Sequence, residues 1–511
     1  MDDLLVALAG NPALPPALVD RLIGRADEDL AQALAYRSDL TSAQVRALAV
    51  RDSGAAEALA RDGRLSAEDL VVEEALDTTY LQLVLLDEGR GREAWARRIA
   101  TDPSAEVRQK LAACPGLPAE VSAVLADDPD LDVVSETAIF TTDRELLERL
   151  AKHRHAAVRA MVAANHAASP ELLAALLVND PPPEACRVCD QEPIPFTHGR
   201  DCERPDCALL PGDACDGSHQ SAVHSLRCHA VDNPATPMSS LVSLADSPST
   251  VLRWTLAERP DLPPVVAEQL AGDPVAGVRH YLAGNPGLPP HLIERLAADP
   301  AHEVRRQLAH NPNIPLDVLA RVAATTRLGP TLLPRVATAT DDEVHALATN
   351  TDPEVRRLLA TRRDLPADVR DGLAADPDAK VVAAIAGHPG LSGEALAGMV
   401  AAHGVRVKSA VAANPDAPSD LLLALAREDP RVPKALREIA RHPNADAEVL
   451  EICLADEDGR LRAIAAAHPA LPAERVAGLL ADPDPQVAES AAGNPSLPLA
   501  EMNRRISGRE R

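Results

Sequence analysis

The fold is decided by a stretch that runs from Asp273 to Pro289 and reads DPVAGVRHYLAGNPGLP. The next stretch, from Asp299 to Pro315, repeats it as DPAHEVRRQLAHNPNIP. Counted on the proline that follows the asparagine, the register recurs every 25 or 26 residues from position 12 to position 495. Two steps differ, since 415 to 443 is 28 residues and 166 to 234 is 68 residues. Repetition at this period indicates a solenoid, with about 42 residues inserted between two regular repeats.

Each repeat carries the signals for two short helices. Asp273-Pro274 predicts a helix start, because aspartate accepts hydrogen bonds from free N–H groups and proline fits the first turn. Val278 and Leu282 lie four residues apart on one apolar face. Asn285-Pro286 predicts the end of that helix, and Pro289-Pro290 predicts the start of a second. A unit this short buries its apolar face only against its neighbours, so we expect a continuous all-α superhelix without sheet.

The composition limits the class of protein. Hydrophobic residues make up 46% of the 511 residues, yet only two Phe, two Trp and three Tyr occur, so the core must be aliphatic. The formal net charge is −26, and a field of that sign repels nucleic acid and anionic membrane. The chain starts without the basic and apolar segments of a secretory signal, and no apolar run is long enough to span a membrane. We therefore expect a cytoplasmic protein with reduced thiols.

The repeat pattern resembles a known family. The order Asp-Pro-x-x-x-Val-Arg-x-x-Leu-Ala-x-Asn-Pro-x-Leu-Pro, as it stands from Asp273 to Pro289, is similar to the leucine-rich repeat variant. The resemblance implies a right-handed α-solenoid of alternating α- and 3₁₀-helices, an armadillo- or HEAT-like superhelix. It also implies a small cysteine-rich module with a [4Fe–4S] cluster, which precedes the repeats in the founding type of the family. In this chain the cysteine-rich segment interrupts the repeats.

Six of the eight cysteines lie within 43 residues. They are Cys186, Cys189, Cys202, Cys207, Cys215 and Cys228. A Cys-x2-Cys pair followed by a Cys-x4-Cys pair indicates a metal centre in a reducing compartment. A segment so poor in apolar residues needs such a staple to order itself. We therefore predict a metal-binding insert at 181–221, between repeats at 1–180 and 222–500, and a basic tail at 501–511.

The residues alone leave the metal open. Four thiolates in two pairs suit a tetrahedral zinc ion and an iron–sulfur cluster equally well, and four histidines are candidate nitrogen ligands that favour zinc. These histidines are His198, His219, His224 and His229. The ligands that we predict first are Cys186, Cys189, Cys202 and Cys207, and the family resemblance implies that the group they hold is a [4Fe–4S] cluster. Cys215 is a rival for one ligand position, and Cys228, on the helix of the resuming repeat, is a candidate tether to the solenoid.

Stacking places equivalent polar residues of successive repeats in two rows. The first row contains Arg108, Arg159, Arg227, Arg253, Arg279, Arg305, Arg356, Lys408 and Arg462. It is either a basic stripe for an acidic partner or, as we expect, a set of side chains paired with helix ends and nearby aspartates. The second row contains Asn11, Asn165, Asn233, Asn285, Asn311, Asn414 and Asn494, with His388, His442 and His468 in the same position. These histidines are either a metal or proton relay or, as we expect, polar groups that cap helix ends. Cys114 and Cys453 are interpreted as packing residues.

No motif in the sequence indicates an enzyme. Dinucleotide-binding, P-loop, zinc-protease and serine-hydrolase motifs do not occur. We predict a non-enzymatic scaffold that binds a protein partner in the solenoid groove and carries the cluster in a structural or redox-sensing role. One alternative is a zinc-stapled scaffold. A second is a HEAT-like nucleic-acid-handling protein, against which the net charge and the scarcity of aromatic stacking residues argue.

Overall fold

The fold is seen in a computed structural model, which describes residues 3–69, 78–178, 180, 182–183, 222–428 and 431–508. Almost all of the predicted insert at 181–221 lies outside these residues. The same holds for the predicted ligands Cys186, Cys189, Cys202, Cys207 and Cys215, and for His198 and His219. Cys228, His224 and His229 lie within the described residues.

The described residues form short α-helices throughout, with no strand among them. Before the insert the helices are α1 Asp3–Ala9, α2 Pro16–Ile23, α3 Glu28–Ala35, α4 Ser42–Arg51, α5 Ser53–Arg61, α6 Thr79–Asp87, α7 Glu93–Ile99, α8 Ala105–Ala112, α9 Ala119–Ala126, α10 Leu131–Phe140, α11 Arg144–Leu150, α12 Ala156–Ala164 and α13 Pro170–Val178. After it they are α14 Ala222–Asp232, α15 Thr250–Glu258, α16 Pro264–Leu270, α17 Ala276–Ala283, α18 Pro290–Ala297, α19 His302–Ala309, α20 Leu316–Thr325, α21 Pro334–Ala337, α22 Asp341–Ala348, α23 Pro353–Leu359, α24 Ala367–Ala374, α25 Ala379–Ile385, α26 Gly393–His403, α27 Val405–Ala412, α28 Ser419–Arg427, α29 Pro433–Arg441, α30 Ala447–Leu454, α31 Gly459–Ala466, α32 Ala473–Leu479, α33 Pro485–Ala492 and α34 Leu499–Ser507.

The repeat that contains α17 and α18 shows how the sequence builds the unit. Helix α18 begins at Pro290 with Pro289 as its N-cap, as the Pro-Pro pair predicts. The expectation that Asp273-Pro274 forms the first turn of α17 is wrong, since that helix begins at Ala276. Asp273 instead forms an Asx turn, in which its Oδ1 accepts from the backbone N–H of Val275 at 2.9 Å. The aspartate therefore shapes the corner that precedes the helix.

The core of the repeat that contains α17 and α18 is aliphatic. Val278, Leu282, Leu292 and Leu296 expose at most 1% of their surface. Each buried leucine contributes about 1.5–3 kcal/mol to stability. A single repeat cannot gain this stabilisation, because its apolar face is buried only when neighbouring repeats cover it. The prediction of an all-α solenoid is confirmed.

The 3₁₀-helices implied by the family resemblance are rare in the described chain. One repeat has 3₁₀-helices, at Met238–Ser240 and Val242–Asp246, where most repeats have an α-helix as their second element. Among the described residues, the second element of most repeats is therefore a short α-helix. The second helix of a repeat such as α18 has eight residues, which is enough for two α-helical turns, whereas the two 3₁₀-helices have three and five residues.

The chain divides into two compact units, and the predicted domain boundaries stay a prediction. Unit 1 contains Met1–Leu65, Gly329–Leu332 and Val336–Arg511, and unit 2 contains Ser66–Leu328 and Leu333–Arg335. Each unit is a stack of helical repeats. Within unit 1, α1 packs against α33 and α2 packs against α34, so the first repeat of the chain continues the stack of the last.

The end of unit 1 is a helix and not a tail over most of the segment predicted at 501–511. Helix α34 runs to Ser507 and buries Met502 and Ile506. Its basic Arg504 pairs with Glu501 at 2.7 Å. Arg504 and Arg505 therefore lie on a packed helix. Across the described ranges, no helix has the length and hydropathy that crossing a bilayer requires.

Candidate functional site

The asparagine row is a ladder of side-chain amides that tie each repeat to the one before it. Nδ2 of Asn285 donates to the backbone carbonyls of Ala257 and Arg259 at 2.8 and 2.7 Å, and its Oδ1 accepts from the N–H of Gly287 at 2.8 Å. The two carbonyls end the first helix of the preceding repeat and have no partner within that helix. We call each such donor with its two carbonyls a rung. The interpretation of the row as helix caps is confirmed.

The same rung spans the insert. Nδ2 of Asn233 donates to the carbonyls of Ala163 and Asn165, at 3.0 and 2.9 Å. These partners lie 70 and 68 positions away, compared with 28 and 26 in the rung of Asn285. The difference of 42 equals the excess counted in the sequence. The repeats on the two sides of the insert therefore stack directly on each other.

The three histidines of this row take the place of the asparagine in its rung, each with one carbonyl partner. Nε2 of His388, His442 and His468 lies 2.8, 2.7 and 3.1 Å from a backbone carbonyl of the preceding repeat. Burial lowers the pKa of His388 and of His468, so both rings are neutral near pH 7. No three His, Cys, Asp or Glu side chains within the described ranges are grouped closely enough to hold a metal ion. The relay interpretation of these histidines is therefore not supported by the arrangement of their neighbours.

Arginine also serves as a rung, which the sequence analysis missed. Nη1 of Arg37 donates to the carbonyls of Ala9 and Asn11 at 2.6 and 2.9 Å, and its remaining nitrogens pair with Asp39. Arg259 and Arg362 have the same arrangement, each with an aspartate two residues later. The sequence pattern that identifies these rung arginines is Arg-x-Asp, with the arginine at the position that asparagine occupies in other repeats.

The first row is a set of buried clamps between repeats. Nε of Arg279 lies 2.7 Å from Oδ2 of Asp299 in the next repeat, and its Nη1 donates to the carbonyl of Asp273 at 2.7 Å. The Arg279 and Asp299 side chains are 13% and 6% exposed. Related pairs are Arg108–Asp128, Arg253–Asp273, Arg356–Asp376, Lys408–Glu428 and Arg462–Asp482. The hydrogen bond from Arg108 lowers the pKa of Asp128, as expected for a carboxylate held by a cation.

These clamps decide between the two interpretations of the arginine row. A basic stripe needs exposed, unpaired guanidinium groups, whereas these groups are paired within the stack. Arg305 is a variant in which Nε lies 2.9 Å from the hydroxyl of Thr326 and Nη1 donates to the carbonyl of Asp299. The interpretation as structural pairs is therefore confirmed for the row members named above.

Cys228 lies on α14, where the repeats resume after the insert. Its Sγ is 3.6 Å from Nδ1 and 4.0 Å from Nε2 of His224, and Nε2 is 2.7 Å from the hydroxyl of Ser249. A sulfur so close to both nitrogens lies against the ring, off the lone-pair axis of either one. Burial, together with the charge of Asp232, raises the pKa of Cys228 to about 12. Its thiol is therefore protonated in this arrangement, and the tether stays a prediction.

The two isolated cysteines are packed in the core. Cys114 and Cys453 expose 4% and 0% of their surface. Burial raises the pKa of Cys114 to about 12 and that of Cys453 to about 11. These thiols are unreactive near neutral pH, because the thiolate is the reactive form.

With this geometry in hand, the repeat can be compared with known proteins. Residues 276–301 match the model of the "Leucine rich repeat variant" family. The matched segment begins with α17 and includes α18 and the corner that follows it. The match covers one repeat of the chain. No curated protein matches the sequence.

Two solved structures are similar to parts of the chain. One is described as "a leucine-rich repeat variant with a novel repetitive protein structural motif", at 23% identity and a TM-score of 0.28, covering 49% of this chain and 88% of that one. The other is described as "Structure of the Pds5-Scc1 complex and implications for cohesin function", at 13% identity and a TM-score of 0.16, covering 93% and 66%. At these scores, neither likeness carries a conclusion about the partners of this protein.

Proposed function

We propose that the protein is a non-enzymatic scaffold that binds a protein partner along its helical repeats in the cytoplasm. The observation that carries this proposal is that the clamp arginines, such as Arg279, pair with aspartates of the next repeat. Nucleic-acid binding needs cations free to meet phosphate, and these cations are neutralised inside the stack. The net charge of −26 acts in the same direction.

The partner surface is expected to be the solvent-facing side of the repeats. Both rows of polar residues are used to hold the repeats together, which leaves the outer helix faces for recognition. Exposed apolar side chains occur there singly, for example Val178 and Val265, which are 77% and 70% exposed. A stacked array presents many such positions in a regular order, which suits an extended protein partner.

The choice between a protein partner and a nucleic acid is tested by titration. Fluorescent single-stranded RNA, single-stranded DNA and duplex DNA are titrated with the full chain at 50 and 150 mM salt. We expect no saturable binding below about 10 μM at the higher salt. Sub-micromolar binding with a steep salt dependence would contradict the proposal.

We further propose that the cysteine-rich segment holds a [4Fe–4S] cluster of structural or redox-sensing role. The donor set is chemically suited to it, since Cys186, Cys189, Cys202 and Cys207 are soft ligands in two close pairs. Such a cluster supplies one-electron redox chemistry when bound. The direct stacking of the repeats across the insert supports this proposal, because the two repeats are joined by Asn233 and do not need the cysteine-rich segment to hold them together.

The metal is identified by anaerobic purification with iron, zinc and sulfide analysis. We expect iron and inorganic sulfide in equal amounts and a broad absorbance near about 400 nm, both lost in Cys189→Ser and Cys202→Ser. Cys453→Ala is the matched control, since that thiol is buried in α30 and should leave the absorbance intact. A colourless protein with one zinc and no iron would instead support a structural zinc site, the alternative that the four thiolates also allow.

A further inference from the structure

A rung that follows α8 has no donor among the described residues. The backbone carbonyls of Ala112 and Cys114 end α8 and correspond to the pair that other rungs occupy, but neither accepts a hydrogen bond in the described chain. Thr141 stands in the rung position of the next repeat, since its Oγ1 accepts from the N–H of Asp143 as the rung asparagines do. A threonine side chain is too short to bridge two carbonyls of the neighbouring repeat.

A cavity of about 270 Å³ lies at this rung. Its walls include Ala112, Cys114, Ser122, Thr141 and Asp143. Phe140 also lines it and is 47% exposed, so the cavity opens to solvent beside an aromatic ring. A cavity with unpaired polar groups on its walls is a site for a polar ligand and not an apolar void.

The chain itself shows which group fits such a rung. At Arg37, and again at Arg259, one guanidinium nitrogen donates to the two helix-end carbonyls. The other nitrogens pair with the aspartate two residues later, which is Asp39 in the first case and Asp261 in the second. Three acceptors in this arrangement, two carbonyls and one carboxylate, therefore receive a guanidinium group twice in the same protein.

The rung of Thr141 has all three acceptors and no guanidinium. Asp143 stands two residues after Thr141, as Asp39 stands after Arg37. Its Oδ1 accepts from the N–H groups of Glu145 and Leu146 at the start of α11, and no hydrogen bond to Oδ2 occurs among the described residues. The carboxylate, which lines the cavity, is thus held in place through Oδ1, and its second oxygen has no partner among the described residues.

We propose that this cavity binds the guanidinium of an arginine side chain presented by a partner protein. The fork of N–H donors on arginine matches the paired carbonyls and the carboxylate, which a lysine ammonium cannot reproduce. Phe140 at the mouth adds a ring face for the cation. The net charge of −26 attracts a basic segment to the surface. This proposal rests on the proposed scaffold function for the source of the arginine, but the guanidinium site is tested without any partner.

The test titrates the full chain with N-acetyl-L-arginine methylamide, followed by calorimetry and by protein NMR. We expect one saturable site, and about tenfold weaker binding of the matching lysine compound because it has no planar fork. Thr141→Arg supplies the guanidinium from within the chain, so it should abolish binding and raise the melting temperature. Thr325→Arg, at an exposed position of α20, is the matched control and should leave binding unchanged.

A second variant tests whether removing a guanidinium from another rung creates a binding site. Arg259→Thr removes the internal guanidinium from a rung that retains Asp261, so it should create a second site and raise the stoichiometry from one to two. Equal binding of the arginine and lysine compounds, or binding that survives Thr141→Arg, would overturn the proposal. If the arginine compound binds as expected but the chain also binds nucleic acid at sub-micromolar concentration, the scaffold function fails and the guanidinium site stands.

Discussion

Asn11 donates its side-chain amide to the backbone carbonyl of Asn494, 2.7 Å away and 483 positions along the chain. It also donates to the carbonyl of Ala492 at 2.9 Å, two residues before Asn494. Asn285 uses the same pair of positions in the repeat before it, Ala257 and Arg259. The contact between the first and last repeats of unit 1 is therefore an ordinary rung, made between segments that are far apart in sequence.

The terminal rung is expected to stabilise unit 1. Asn11→Ala leaves two buried carbonyls without donors, so the free energy of unfolding should fall by about 1–3 kcal/mol. Urea unfolding measures the loss, and hydrogen exchange should show faster exchange in α1 and α33. Asn313→Ala is the matched control, because the exposed side chain of Asn313 makes a single hydrogen bond, to the carbonyl of Pro286, and its loss should be small. An Asn11→Ala protein as stable as wild type would contradict this account of the contact.

The arginine clamps are expected to stabilise the folded chain, because their partner carboxylates are buried. Arg279→Met leaves the buried Asp299 carboxylate without its cation and should lower the free energy of unfolding by about 3 kcal/mol. Adding Asp299→Asn removes the uncompensated charge while keeping the Oδ1 acceptor for Ala301, so the double variant should recover part of the loss. A double-mutant cycle in urea measures the coupling. The exposed pair Arg321–Glu294 is the control, and breaking it should leave the midpoint unchanged.

The rung histidines predict a pH dependence of stability. Burial lowers the pKa of His388 and His468, so the unfolded chain binds more protons than the folded one once the pH falls below the ordinary histidine value. Stability from these two rungs is therefore present at neutral pH and is lost as the pH falls through about 6.5 towards the lower folded values. The urea midpoint should drop between pH 7.5 and 5.5. His388→Asn with His468→Asn should flatten the drop, and an unchanged slope would refute the assignment.

The repeats are expected to stack without the cysteine-rich segment. Replacing residues 184–221 with a flexible Gly/Ser linker should leave the unfolding midpoint of the repeats unchanged, because Asn233 already binds Ala163 and Asn165 across the junction. Asn233→Ala should lower the midpoint in the presence or absence of the segment, since it removes both of those bonds. Circular dichroism in urea measures both variants. A linker variant that loses most of its helical circular dichroism signal would show that the segment is needed for the repeats to stack.

The repeat architecture follows from sequence because its causes are local. Val278 and Leu282 share a helix face by their spacing, and Pro289-Pro290 starts the second helix through the fixed φ of proline. The insert could be counted as 42 residues because a solenoid contacts only its neighbours, which preserves the register on both sides. The resemblance to the leucine-rich repeat variant came from the same local pattern.

The candidate site was predicted less completely, because its geometry depends on contacts between repeats. The role of Asn285 could be inferred, whereas the equivalent role of Arg37 could not, since a guanidinium reaches the same carbonyls from a different side chain. The rung position of Thr141 became visible only in the structure, where its Oγ1 accepts from the N–H of Asp143. The missing donor at that rung is visible only when the carbonyls of the previous repeat are in view.

The sequence by itself determined the period, the two helices of each repeat, the aliphatic core and the position of the cysteine-rich insert. These are set by residues within one repeat or by the order of adjacent repeats. The tertiary structure alone decided that Asn11 meets Asn494, that Arg279 is held by Asp299, and that the rung at Thr141 is left without a donor. The physical reason is that hydrogen bonds between repeats depend on distances across the stack, which a local pattern of residue types does not specify.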